Sequence, residues 1–405
     1  MGDYMGRAKA WAMEQAAQGF DSKDTRVCSR CVDEYALRGF IKKTGEPGHL
    51  CSYCDAEAQG EKSVAFYDFI RRVLKGMETE WGDPNDEGVG WEHGWVGDVR
   101  DTYDLLTEEL DIGFRTDGLF KDALSSLSDR QWCQRNFYEL KPHQALSAGW
   151  NEFTRVVKHE SRYVFFRRED PRAEGRGSEE IPPSYFLDAL SSVISRCGLY
   201  TKLNAGTTVL RLRVHELGKK FTKAHELGPP PPTLAKYPNR MSAAGISAFY
   251  GAFDRETTIA ETTNSMNEPK SATLGHFKVL KDLYLIDFTK LPSIPSIFES
   301  ASRARRHGIY FLRSFLEDFA APTEKDGREH IEYVPTQVVS EYLRFIHRGP
   351  KNQPINGILY KSSRQAGTNA CVLFIGPDGV CDPGNEGGKN VLMLESVETF
   401  ELPEN

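Results

Sequence analysis

The sequence contains no long hydrophobic run, and its charge balance is not basic. No stretch of about 18 or more apolar residues occurs, so we expect no membrane-spanning helix and no membrane partner. The 405 residues include 51 Lys and Arg against 58 Asp and Glu, which gives a formal net charge of −7. Surfaces that follow nucleic-acid phosphates normally carry a basic excess, so broad nucleic-acid binding is not expected. The first residues also lack the apolar centre of a secretory signal, and we expect a cytoplasmic protein.

Four of the eight cysteines form two closely spaced pairs. Cys28 and Cys31 make one C-x2-C pair, Cys51 and Cys54 make the other, and 19 residues separate the two. This spacing is typical of a zinc ribbon, in which four thiolates surround one tetrahedral ion. Four protein ligands leave no open coordination position, so the predicted zinc is structural. A redox dithiol or unrelated buried thiols are the alternative interpretations.

The two halves of the chain have different hydrophobic patterns. In the N-terminal half, apolar residues such as Phe66, Phe69, Ile70 and Val73 recur at helical spacing. The C-terminal half contains strand-like runs such as TVLRLRV, LYLIDF and NVLMLESVETFEL, separated by helical patterns. The sequence therefore predicts a multidomain protein, with a zinc knuckle and an α-helical domain followed by an α+β domain with a mixed or antiparallel sheet.

The domain limits are placed where the composition changes. A charged segment rich in Gly and Pro separates the two halves, and this composition disfavours a packed element. We predict an N-terminal helix and the zinc knuckle in 1–60, a helical domain in 61–167, a charged linker in 168–183, and the α+β domain in 184–405.

Polar residues stand at structured points of four segments in the C-terminal half. The segments are VLRLRVH, NRMSAAGISAFYGAFDRETTIAE, YVPTQVVSEYL and GILYKSS. Taken singly, each side chain has an ordinary structural interpretation, as a solvated arginine, a packed tyrosine, a surface glutamate or a turn serine. In this order, over roughly residues 200–400, the segments resemble the RES domain, a family named for its arginine, glutamate and serine. The residues concerned are Arg211, Arg240, Tyr250, Glu261, Tyr333, Gln337 and Ser362.

Two positions of the turn around Arg240 depart from the family's pattern. Asn239 stands where the family has a glycine, and Ser242-Ala243 stand where it has Asn-Pro. These changes concern the conformation of the turn more than its chemistry.

The resemblance implies a fold similar to that of ADP-ribosyltransferases and an enzyme that consumes NAD. Guanidinium groups bind phosphate oxygens through paired hydrogen bonds, so Arg211 and Arg240 are candidates for holding the pyrophosphate. Cleavage of the nicotinamide–ribose bond leaves an oxocarbenium-like sugar, which the carboxylate of Glu261 would stabilise. The candidate catalytic residues are Glu261, Arg240, Tyr250 and Ser362, and the candidate NAD-binding residues are Arg211, Arg240, Tyr250, Ser362, Tyr333 and Gln337.

The N-terminal half resembles a module found ahead of RES domains and classed with HEPN helical domains. HEPN ribonucleases use an Arg-x4–6-His motif. Here three residues separate Arg155 from His159, and seven separate Arg135 from His143. Neither pair fits the motif, so a sensing or docking role is favoured over RNA cleavage.

These implications favour an NAD-degrading enzyme, a glycohydrolase or phosphorylase that acts as a toxin or an anti-phage defence effector. ADP-ribosylation of a protein is an alternative, because water, phosphate and a side chain all attack the same carbon. A zinc-bearing nucleic-acid-binding or sensor protein with an inactive RES half is a further alternative. We expect NAD as the small-molecule substrate, an antitoxin or trigger molecule as regulator, a homo-oligomer, and no nucleic acid at the C-terminal half.

Overall fold

The structure, a computed structural model, divides the chain into two compact units. The first unit consists of Met1–Leu140 together with Ile294–Arg306, and the second of Lys141–Ser293 together with His307–Asn405. None of the described helices is long and apolar enough to cross a membrane. The residues that the structure describes are 18–54, 61–127, 130–167, 181–263, 270–321 and 327–402.

The first unit is built from short strands and helices around one apolar core. Its elements are β1 (Arg26–Cys28), α1 (Tyr35–Thr44), β2 (Glu46–Pro47), β3 (Lys62–Ala65), α2 (Phe66–Met77), β4 (Trp81–Gly82), β5 (Val99–Asp101), α3 (Thr102–Asp104), a π-helix (Leu105–Glu109), α4 (Asp117–Ser126) and β6 (Gln131–Gln134). Two antiparallel three-stranded sheets form, with the strand orders β1-β3-β2 and β4-β6-β5. The predicted helical face of α2, including Phe66 and Ile70, is fully buried in the core.

A segment from much later in the chain completes this core. Phe298 is buried against Gly76 of α2, where an added Cβ would lie 2.2 Å from the Phe298 ring. The Tyr35 hydroxyl donates a hydrogen bond to Glu299 Oε2 at 2.9 Å. The N-terminal unit therefore includes Ile294–Arg306, a 13-residue segment that falls within the resemblance to the RES domain.

The second unit is an α+β structure around one nine-stranded sheet. Its helices are α5 (Pro142–His159), α6 (Pro183–Cys197), α7 (Ala224–Leu227), α8 (Arg255–Thr262), α9 (Arg306–Ala320, whose first residue belongs to the first unit), α10 (Glu329–Glu332) and α11 (Val334–Phe345), with 3-10 turns at Phe165–Arg167, Pro232–Leu234 and Pro377–Gly379. Its strands are β7 (Tyr200–Leu203), β8 (Thr208–His215), β9 (Phe249–Ala252), β10 (Lys270–Val279), β11 (Leu283–Asp287), β12 (Gly357–Lys361), β13 (Asn369–Leu373), β14 (Val380–Cys381) and β15 (Leu392–Leu402). One further 3-10 turn, Arg303–Arg305, lies in the first unit.

The sheet is mixed, with the strand order β14-β15-β10-β8-β9-β13-β12-β11-β7. The pairs β11–β12 and β14–β15 are parallel, and the other neighbouring pairs are antiparallel. β8 and β9 are paired at a single position, Leu210 with Ala252. This sheet and the N-terminal cysteine cluster confirm the predicted fold class.

The helix α5 belongs to the second unit. Trp150 of this helix packs its ring 5.5 Å from that of Phe186 in α6 and 5.0 Å from that of Phe315 in α9. Such aromatic pairs contribute a large buried area, so α5 is part of this unit's interior. The domain limits predicted from the sequence stay predictions; residues 1–17 and 168–180, with most of the predicted N-terminal helix and linker, lie outside the described residues.

Candidate active site

Arg240 is presented by a tight turn that the preceding and following residues close. The Asn239 N–H donates to the Ser242 carbonyl at 2.8 Å, and the Ser242 N–H returns a bond of 3.3 Å to the Asn239 carbonyl. The Tyr250 hydroxyl accepts from the Met241 N–H at 3.3 Å and lies 2.9 Å from Ser242 Oγ. Ser242 thus supplies a side-chain tether to β9, which accounts for a turn without the family's Asn-Pro pair.

Helix α11 fixes the same turn from the other side. Thr336 Oγ1 donates to the Arg240 carbonyl at 2.5 Å. Gln337 Nε2 donates to the carbonyls of Asn239 and Ser242 at 2.8 and 3.3 Å. Gln337 is buried and does not line the cavity described below, so in the structure its amide holds the backbone that carries Arg240.

Arg211 is a largely enclosed cation. Its Nη1 donates to the Tyr250 carbonyl at 3.2 Å, and its Cζ lies 5.0 Å from the centre of the Phe249 ring. Its Nε is buried without a hydrogen-bond partner among the described residues. Burial, reinforced by the positive charge of Arg213, lowers the pKa of Arg211 to about 9. The guanidinium is still charged at neutral pH, and an anion would relieve the cost of burying it.

Arg213 and Arg240 are also half-buried arginines whose guanidiniums donate to backbone carbonyls. Arg213 Nη2 donates to the Gly228 carbonyl at 3.0 Å, and Arg240 Nη1 donates to the Phe319 carbonyl at 3.2 Å. Burial lowers the pKa of both. Within the described parts of the chain, no carboxylate lies within 4.0 Å of these two guanidiniums or of Arg211.

Glu261 is held by the serine that the sequence singled out. Ser362 Oγ donates to Glu261 Oε1 at 2.6 Å. The same hydroxyl accepts the backbone N–H groups of Arg364 and Gln365 at 3.1 and 3.0 Å, which orients its proton toward the carboxylate. Ser362 does not line the cavity, whereas Glu261 does. The serine therefore orients the carboxylate through Oε1.

One cavity of about 550 Å³ brings most of the candidate residues together. This volume lies within the usual range of about 300–1,000 Å³ for small-molecule sites. Its lining includes six basic residues and one acidic residue, so the site favours an anion. The candidate residues that line it are Arg211, Arg240, Tyr250, Glu261 and Tyr333; the lining residues that the sequence did not single out include Arg213, Lys236, Thr258, Tyr360, Lys361 and Arg364.

The sequence held a signal for one of these additional residues. Arg213 lies two positions after Arg211 on β8. Residues two apart on a strand lie on the same face of the sheet. A candidate residue on a strand therefore makes the residues two positions away candidates as well.

The four paired cysteines form a separate cluster in the first unit. Their sulfurs all lie within 4.8 Å of one another. The Cys28–Cys31, Cys28–Cys54 and Cys31–Cys51 separations are 3.8, 3.6 and 3.6 Å. A tetrahedral ion with zinc–sulfur bonds of about 2.3 Å sets its sulfurs about 3.8 Å apart, so this donor set fits zinc.

The arginines of the two arginine–histidine pairs form ion pairs with nearby glutamates. Arg155 forms ion pairs with Glu152, at 2.7 Å, and with Glu160. Arg135 lies 3.4 Å from Glu87. Both arginines therefore have carboxylate partners, and the sensing or docking role of this half stays a prediction.

Comparison with protein families accounts for both halves of the chain. A model described as the RES domain matches residues 211–386, and one described as HEPN/RES N-terminal domain 1 matches residues 44–171. No curated protein and no solved structure matches the chain. The chain therefore joins a HEPN/RES N-terminal domain 1 to a RES domain, which confirms the fusion predicted from the sequence. At family level the RES domain supports an NAD-related, toxin-like function, and its members are generally NAD-consuming enzymes.

Proposed function

We propose that the RES domain cleaves the nicotinamide–ribose bond of NAD and transfers the ADP-ribosyl group to water or phosphate. The observation that carries the proposal is the shared cavity of three arginines and Glu261. The guanidiniums of Arg211, Arg213 and Arg240 have no carboxylate partner in the described parts of the chain, and one carboxylate faces the same space. NAD matches this charge pattern, because its pyrophosphate is an anion and its reacting ribose becomes positively charged when the bond to nicotinamide breaks.

The arginines suit the pyrophosphate of NAD. A guanidinium binds phosphate oxygens through parallel hydrogen bonds, and such charge-assisted bonds are about twice as strong as neutral ones. Because Arg211 is enclosed and has an unsatisfied Nε, a bound phosphate oxygen would supply both the missing charge and the missing acceptor. The binding energy released at the phosphates would then hold the nicotinamide end near Glu261.

Glu261 suits the reacting sugar. When the C–N bond breaks, its electron pair moves to the pyridinium nitrogen, nicotinamide leaves as a neutral molecule, and C1′ becomes cationic. An oxygen of water or phosphate then bonds to C1′, and an attacking water loses a proton to solvent. A carboxylate held by Ser362 stabilises that cation or binds the ribose hydroxyls, and removing one such contact typically costs about 2.7–4 kcal/mol of barrier.

The assay is the release of free nicotinamide from NAD by the purified full-length chain. We expect nicotinamide to appear with ADP-ribose in phosphate-free buffer, or with ADP-ribose 1″-phosphate when inorganic phosphate is added. Labelled protein in place of either product would instead support ADP-ribosylation of a macromolecule. Absence of nicotinamide with every acceptor would refute the proposal.

We further propose that the activity is toxic through loss of cellular NAD, which the family-level function supports. Expression of the wild-type chain should lower both NAD and viability, whereas Glu261→Gln should lower neither. Growth arrest by both proteins at unchanged NAD would contradict this proposal.

We also propose that the four-cysteine cluster holds one structural Zn²⁺. The supporting observation is that the four sulfurs lie within 4.8 Å of one another, and four thiolate ligands would leave no open position for water. Elemental analysis should find one zinc per chain and a large loss in Cys51→Ser. Cys133→Ala removes a thiol from the same unit outside the cluster and should keep the metal; equal metal content in all three proteins would refute the site.

A further inference from the structure

Tyr360 carries a hydroxyl without a hydrogen-bond partner among the described residues. The residue lies on β12, and its side chain lines the cavity that Glu261 also lines. Burial, followed by the negative charge of Glu261, raises the pKa of Tyr360 well above its usual value. The phenol therefore keeps its proton and remains a hydrogen-bond donor. The hydroxyl is therefore available to an acceptor on a ligand in the cavity.

The strand register places Tyr360 on the same face of the sheet as Tyr250. Tyr360 pairs with Ala370 on β13, and Tyr250 of β9 pairs with Val372 on the same strand. Since Ala370 and Val372 are two apart, both tyrosines stand on the same face of the sheet, with β13 between their strands. Two strand spacings separate β9 from β12 by about 10 Å. Ala370, whose side chain is small, lines the cavity on this face between the two strands.

We infer that Tyr360 donates a hydrogen bond to the carboxamide oxygen of nicotinamide and determines specificity for the leaving ring. The inference rests on the proposed cleavage of NAD. In that reaction C1′ of the ribose lies at Glu261, and the nicotinamide ring bonded to C1′ lies near the same residue. The ribose hydroxyls are donors that suit the Glu261 carboxylate. The carboxamide oxygen is an acceptor, and Tyr360 supplies the donor that it needs. This bond fixes the rotation of the ring about the glycosidic bond over Ala370.

The test compares three substrates with the wild-type chain and Tyr360→Phe. NAD and its 3-acetylpyridine analogue keep the carbonyl oxygen, whereas the thionicotinamide analogue offers sulfur, a weaker acceptor. The three rings differ in leaving ability, but that difference is the same for both proteins and cancels in the ratio of their kcat/KM values. We expect Tyr360→Phe to lose about 2- to 13-fold on NAD and on the acetylpyridine analogue, and little on the thionicotinamide analogue.

Two controls separate this role from a structural one. Thermal unfolding should be unchanged in Tyr360→Phe, because the hydroxyl has no protein partner to lose. Tyr284→Phe, which removes a hydroxyl from β11 outside the cavity, should match the wild type on all three substrates. An equal loss on all three substrates in Tyr360→Phe, or no loss on any, would overturn the inference while leaving NAD cleavage intact. Failure of the wild type itself to release nicotinamide would instead refute the proposed function.

Discussion

Replacing Ser362 with alanine removes the hydroxyl that holds the Glu261 carboxylate. In the structure that hydroxyl donates one bond of 2.6 Å to Glu261 and accepts two backbone N–H groups. A hydrogen bond to a charged group contributes about 1.5–3 kcal/mol, and each 1.36 kcal/mol is tenfold in rate. If the bond acts by orienting the carboxylate in the transition state, Ser362→Ala should lower kcat for nicotinamide release by about 10- to 150-fold.

A double-mutant cycle with Glu261→Gln tests whether the serine acts through the glutamate. In the Glu261→Gln background, Ser362→Ala should cost little, because the charge that the hydroxyl orients is already gone. Ser362→Thr keeps a hydroxyl and should recover much of the activity. Two independent, fully additive losses would refute the reasoning and indicate that Ser362 contacts the substrate directly.

Three other predictions concern the buried cation, the late segment and the limits of the second unit. The affinity of Glu261→Gln for NAD, measured by calorimetry, should weaken as pH rises through about 9, because Arg211 then loses its charge. An affinity that does not change up to pH 10 would contradict this. Phe298→Ala should lower the free energy of unfolding by about 3–5 kcal/mol by opening a cavity in the first unit, and Phe298→Leu should cost less; equal stability of both variants in denaturant would contradict that packing. A chain beginning at residue 184 lacks α5 and should unfold at a lower temperature than one beginning at residue 141, and identical melting of the two would show that α5 is dispensable.

The truncated chains also bear on a hypothesis that the N-terminal half restrains the toxicity of the RES domain. Removing residues 1–140 also strips the partner core from the segment Ile294–Arg306 and exposes Phe298. A gain or loss of toxicity in a truncated chain therefore has to be compared with the same truncation carrying Glu261→Gln. Only a change in toxicity that is absent from the Glu261→Gln chain shows that the N-terminal half restrains the enzyme.

Local patterns in the sequence were sufficient for several parts of the structure. The spacing of Cys28, Cys31, Cys51 and Cys54 predicts a cluster because a C-x2-C turn aims two sulfurs at one point wherever the turns meet. The face of α2 follows from its 3.6-residue period. The order of the arginine, glutamate and serine segments predicts a shared site because it matches a family pattern rather than a local preference.

The remaining parts of the structure depend on contacts between residues that are far apart in the sequence. The strand β10, a central member of the sheet, reads KSATLGHFKV, which has no strong alternation to announce it. The segment around Phe298 has no helical or strand period, and its burial depends on a gap over Gly76 that only the folded first unit creates. Tyr360 could not be chosen from sequence because its face is defined by pairing with Ala370.

The most direct measurement compares Glu261→Gln with Glu256→Gln, two changes of the same kind on helix α8. Glu256 lies in the exposed first turn, whereas Glu261 lines the cavity with the arginines. We predict that both variants bind NAD, that Glu256→Gln releases nicotinamide at the wild-type rate, and that Glu261→Gln is slower by about 10²–10³-fold. Equal rates in the two variants would contradict the claim that this cavity cleaves a dinucleotide.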